Sequence, residues 1–139
     1  MAAKRILNFF ENNKHYVILL IILVAIQINF FSSLPGSTPM GPGWPIIPTL
    51  YHFFIFFTLS FLILVYVGSH RKVTLHQIFF SVLISLIFAI VDELDQLFIP
   101  LRFAGIKDVL VDSAGILLSV FVYKYLKTKK DKVVTTKKC

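Results

Sequence analysis

Five of the seven acidic residues in this chain fall between positions 92 and 112: Asp92, Glu93, Asp95, Asp108 and Asp112. Gln96, Arg102 and Lys107 lie among them. Carboxylates gathered in this way have several uses. Asp92 or Glu93 could act as general base, with Arg102 stabilising a developing negative charge and His52 relaying a proton. The same oxygens could hold a hard cation such as Mg²⁺ or Ca²⁺, or the headgroup of a lipid or cationic ligand. They could also form a purely structural network. No nucleophile–base pair or metal-ligand spacing accompanies them, so neither a metal nor a cofactor is expected, and binding is expected ahead of catalysis. The candidate binding network is His52, Asp92, Glu93, Gln96, Arg102, Asp108 and Asp112. The candidate catalytic groups within it are Asp92, Glu93, His52 and Arg102.

Composition says which elements must hold these residues. Of 139 residues, 57% are hydrophobic and 15 are phenylalanine, more than a small domain with an aqueous surface carries. Four apolar stretches, 16–34, 49–67, 73–91 and 109–126, can each cross about 30 Å of hydrocarbon at about 1.5 Å per residue. They lack the alternation of a spanning strand, and lipid obliges each segment to satisfy its own backbone. The expected fold is all-α, an integral membrane bundle of four transmembrane helices over 16–126. An N-terminal segment, 1–15, precedes it and a basic tail, 127–139, follows. After the first stretch, Ser32-Ser33-Leu34-Pro35-Gly36 offers no clear cleavage signal, so that stretch is expected to remain as a span. Pro35, Pro39, Pro42, Pro45 and Pro48 then forbid a regular helix over 35–48, and Trp44 within it suits the headgroup layer.

Helical spacing tells where the polar groups point. Ser81, Ser85, Ala89, Asp92 or Glu93, and Gln96 share one face of the third span. Asp108, Asp112, Gly115 and Ser119 share one face of the fourth. Ser81, Ser85, Gly115 and Ser119 read as packing positions, where small residues let helices approach. Asp112 does not. It lies about one turn inside its span, and a carboxylate at the helix centre costs roughly 2.5–3.5 kcal/mol, less near the interface. It therefore needs a proton or a partner, with Arg102, Lys107 and His52 in reach. Gln27, Asn29, Ser32 and Ser33 bring polar groups from the first span to the same layer.

Basic residues set the orientation. With the N-terminus inside, twelve of the fourteen Lys and Arg lie in the cytoplasm, and only Arg102 and Lys107 lie outside. Both termini are then cytoplasmic in a multi-pass protein of the cell membrane, with the acidic layer at the outer face. The net charge of +7 does not point to nucleic acid, since half of the basic residues lie between Lys124 and Lys138, beside a hydrophobic span. Such a tail faces anionic lipid, and membrane lipid is the expected partner, with a lipid-linked or envelope ligand as a further one. Cys139 is the sole cysteine, a free thiol.

Two segments carry a resemblance. Asp92, Glu93, Gln96, Phe98, Pro100 and Arg102, then Asp108, Asp112 and Gly115, follow the pattern D-E-x-x-Q-x-F-x-P-x-R, a short gap, and D-x-x-x-[ND]-x-x-G. This pattern resembles the VanZ-like family of small membrane proteins. Phe30-Phe31-Ser32-Ser33 and Tyr51-His52-Phe53-Phe54 resemble the end of that family's first helix and the start of its second. Asp95, Leu101 and Phe56 depart from it, standing where a neutral polar residue, Gly and Tyr are more usual. The resemblance implies a multi-pass membrane protein of a family associated in some members with resistance to teicoplanin-type glycopeptides. It implies no reaction.

Overall fold

The structure, a computed structural model, describes residues 2–35, 46–68, 73–100, 102 and 105–136, with side chains at 5–35, 46–68, 73–100, 102 and 105–128. The connection around Trp44, the departing residue Leu101 and the thiol of Cys139 lie outside the described residues. Five helices follow in order: α1 (Ala2–Asn12), α2 (Lys14–Ser32), α3 (Ile46–Val67), α4 (Leu75–Gln96) and α5 (Ile106–Thr136). No strand occurs among the described residues. Four helices, α2 to α5, are long and apolar enough to cross a membrane.

Local chemistry sets the helix ends. Asn13 separates α1 from α2, and both its backbone N–H and its side-chain amide donate to the Phe9 carbonyl, at 3.0 and 2.8 Å, closing the end of α1. Pro48 falls in the first turn of α3, where a missing N–H costs nothing, so the helix begins three residues before the expected start of the span. Thr74 and Gln77 form a capping box at the start of α4, each side chain accepting from the other's backbone N–H. The Gln77 amide also donates to the Val67 carbonyl at 2.9 Å and so ties the end of α3 to the start of α4. Asp108 sits in the first turn of α5, where negative charge suits the helix dipole. That helix continues through 127–136, so part of the expected tail prolongs the last span.

The central member is α3, which packs on all four other helices and most extensively on α5. On α2 the buried side chains are Val17, Val24, Ile28 and Ser32, a single stripe. Ile22, Leu23, Ile26 and Phe30 remain exposed, as do Phe79, Phe80, Leu117 and Phe121 on α4 and α5. Large apolar side chains turned outward suit lipid. One apolar cluster centres on Ile28, Phe56, Leu59, Ala89 and Ile116, and a second on Leu7, Val17, Leu64 and Tyr123.

The segment 1–15 is more ordered than its composition suggests. In α1, Leu7 and Glu11 are buried against the bundle while Ile6 and Phe9 are exposed. Glu11 forms an ion pair with the Lys127 ammonium, which is itself buried. The Tyr123 hydroxyl lies 3.4 Å from the same carboxylate. Lys127 is therefore a packed residue of α5, although its sequence position groups it with the solvated tail.

Candidate functional site

α3 and α5 leave the same end of the bundle and run side by side. Their close approach has a specific cause: a Cβ on Gly115 would fall on the Phe53 carbonyl and lie 3.3 Å from the Phe57 nitrogen. One turn further along, the Ser60 and Ser119 hydroxyls are 2.8 Å apart. Ser119 is also 2.7 Å from the Ile116 carbonyl, and its single proton serves one of these two acceptors at a time. This register sets His52 opposite Asp112. Each lies six residues beyond the first residue of its helix, about 9 Å along the axis at about 1.5 Å per residue. Both are deeper than the single turn expected from the apolar run.

His52 Nδ1 stands 3.4 Å from Asp112 Oδ1. The separation is that of an ion contact, yet neither atom has the geometry of a hydrogen bond with any group. The second Asp112 oxygen also lacks a partner, although the residue is fully buried. Of the three candidates for Asp112, the structure supplies His52. From α4 comes Glu93, and donor atoms of His52, Glu93 and Asp112 all lie within 4.8 Å of one another.

The last turns of α4 carry the remaining groups. Asp92, Glu93 and Gln96 are buried, on the same face as Ser81, Ser85 and Ala89. Ser81 and Ser85 donate back to the Gln77 and Ser81 carbonyls of their own helix, at 2.9 and 2.8 Å. The Gln96 amide donates to Asp92 Oδ2 at 3.0 Å and approaches Glu93 Oε1 at 3.5 Å. Ser32, from the end of α2, also hydrogen-bonds Asp92. Glu93 Oε2 accepts from the Gly105 backbone N–H at 3.0 Å, which fixes the approach to α5.

Arg102 is used differently from its expected role. Its guanidinium donates to the Phe31 and Leu34 carbonyls, the latter at 3.2 Å, and to Gln96 Oε1 at 3.2 Å. The Phe31 carbonyl belongs to the last turn of α2 and the Leu34 carbonyl lies just past it, and a basic side chain on acceptors at a helix C-terminus stabilises that end. Arg102 thus reaches Asp92 through Gln96 and ties itself to the end of α2. Asp108 is half-buried and Asp95 exposed. Of the polar groups expected from the first span, Ser32 alone is buried. Asn29 folds back onto Ala25, Ser33 donates to Asn29, and Gln27 is exposed.

Sequence spacing does not show two parts of this arrangement: the Gly105 backbone donor and the helix-capping use of Arg102. Both involve main-chain groups, which residue type cannot register. A wide groove elsewhere, lined by Ile22, Ala25, Ile26, Asn29, Phe30, Ser33 and Phe88, is apolar and contains none of the acidic residues. The buried acidic residues Asp92, Glu93 and Asp112 lie inside the bundle instead.

A family model described as VanZ/LLP1 matches residues 7–127, nearly the whole chain. No curated protein and no solved structure matches it.

Proposed function

This chain belongs to the VanZ/LLP1 family, and from that premise we propose that it is a membrane-embedded binding protein of the cell envelope. Its acidic layer holds the positively charged part of a lipid-associated or envelope ligand. One observation carries the reading. Asp92, Glu93 and Asp112 are buried at one end of the bundle, and the nearest guanidinium, that of Arg102, bonds none of them directly. Three buried carboxylates gathered in a low-dielectric setting are costly, and an incoming positive charge would relieve that cost. The bias of basic residues puts this layer at the outer face of the cell membrane, with both termini in the cytoplasm.

The test is lipid and ligand co-purification from the native membrane, followed by mass spectrometry, on the parent and on Glu93→Gln and Asp112→Asn. The expected result is that both variants express and melt at or above the parent temperature while a co-purifying species disappears. A fall in expression and melting temperature, with the same species retained, would make the layer a structural network. A second reading has its own support: His52 set against Asp112 is an imidazole oriented by a carboxylate, as in acid–base catalysis. In that case Glu93→Gln would keep the ligand bound and stop its turnover.

A further inference from the structure

The geometry points to a divalent metal site at His52, Glu93 and Asp112. This rests on the reading that the acidic layer is a binding site, and it names the positive charge bound there. The two carboxylates and a neutral imidazole carry a formal charge of −2 (Glu93 and Asp112), which one divalent ion cancels. Three observations support the assignment independently of charge. Asp112 Oδ2 is buried without any partner, and Asp112 Oδ1 and His52 Nδ1, 3.4 Å apart, have only each other and no well-formed hydrogen bond. Buried polar atoms in native proteins nearly always form hydrogen bonds, so a carboxylate with one oxygen unpartnered and the other only in a loose contact with an imidazole leaves room for a further group.

The spacing fits an ion. Ligands at about 2.0–2.1 Å from a tetrahedral centre lie roughly 3.4 Å apart, which is the separation of His52 Nδ1 from Asp112 Oδ1, 3.4 Å. Glu93 completes the set within 4.8 Å and needs an inward movement of about an ångström to coordinate at ordinary lengths. Its carboxylate is already held from behind by the Gly105 N–H and the Gln96 amide, the outer-shell support that orients metal-binding carboxylates. Donor chemistry narrows the metal. An imidazole in the set favours Zn²⁺ over Mg²⁺, Ca²⁺ or Mn²⁺, which suit oxygen shells. Three protein ligands leave at least one position for water or for an oxygen of the bound ligand. The motif lacks any short Cys/His spacing because its ligands come from three helices.

The full chain, purified in detergent, would be stripped with a chelator, dialysed against Zn²⁺ alone, desalted and assayed by elemental mass spectrometry. The expected result is about one ion per chain for the parent and for Asp95→Asn, whose carboxylate is exposed. Asp112→Asn and His52→Ala should each lower retention at least tenfold. Metal should raise the melting temperature of the parent reversibly with chelator, a readout that holds even if a variant folds poorly. A parent that retains no ion, or variants that retain as much as the parent, would overturn the site. If a ligand still co-purifies in a Glu93-dependent manner while no metal binds, the metal assignment fails and the binding reading stands. If neither metal nor ligand binds, both fall.

Discussion

At the scale of the residue, Arg102 and Asp112 illustrate opposite uses of charge in a low-dielectric layer. Arg102 spreads its guanidinium over two main-chain carbonyls and the Gln96 oxygen. A planar fork with several donors suits that task, and a lysine ammonium on its flexible stem does not. Arg102→Lys should therefore destabilise the folded protein by about 1.5–3 kcal/mol, the range for hydrogen bonds to a charged group. Thermal unfolding in detergent would measure it, and an unchanged midpoint would mean that the three contacts do not hold α2. Asp112 has only the loose contact with His52 in return for its burial, and in metal-free protein its replacement by Asn should leave stability intact or improved, as for other groups kept for function. The acidic face of α4 was legible in the sequence, because Asp92, Glu93 and Gln96 repeat at helical spacing after Ser81, Ser85 and Ala89. The destination of Arg102 was not. Counting charges pairs it with carboxylates, whereas the exposed end of a helix offers carbonyls that a count never includes.

At the scale of the element, the site depends on the register between α3 and α5. The contacts Phe53 with Gly115, Ser60 with Ser119 and His52 with Asp112 all belong to one alignment of these two helices. Gly115 makes it possible, since only hydrogen fits against the Phe53 carbonyl. Gly115→Val should force the helices apart and cost about 1–3 kcal/mol, the usual range for overpacking. It should also abolish whatever His52 and Asp112 bind, although it touches neither. Melting temperature and ligand retention, followed together, would check this. A variant that melts like the parent would show that the helices can slide without penalty. Span existence was legible because hydrophobic runs of about twenty residues have few other uses. Span ends were less so. Pro48 reads as a breaker in isolation, yet the first turn of a helix accepts proline, and α3 starts before it.

At the scale of the whole molecule, two ends of the bundle carry buried charge for different reasons. At the end away from the acidic layer, Glu11 and Lys127 close an ion pair under the Tyr123 ring, with the ammonium 5.9 Å from the ring centroid. The pair joins the first helix to the last, so it holds an element that hydropathy alone leaves as a loose segment. Its sequence signature is slight: one acid among basic residues, and one lysine among many. Orientation can be checked at Cys139, the single thiol, which a membrane-impermeant maleimide should label only in permeabilised cells. Labelling in intact cells would reverse the inside and outside ends. The pair itself allows a sharper experiment. Removing one partner leaves an uncompensated buried charge, whereas removing both leaves none. Glu11→Gln and Lys127→Met should each cost about 3–5 kcal/mol, and the double variant should recover most of that loss. Single variants within about 0.5 kcal/mol of the parent would instead make the pair a solvated surface contact. The cycle separates a clamp on α1 from an incidental contact, because only a clamp gives a double variant more stable than either single one.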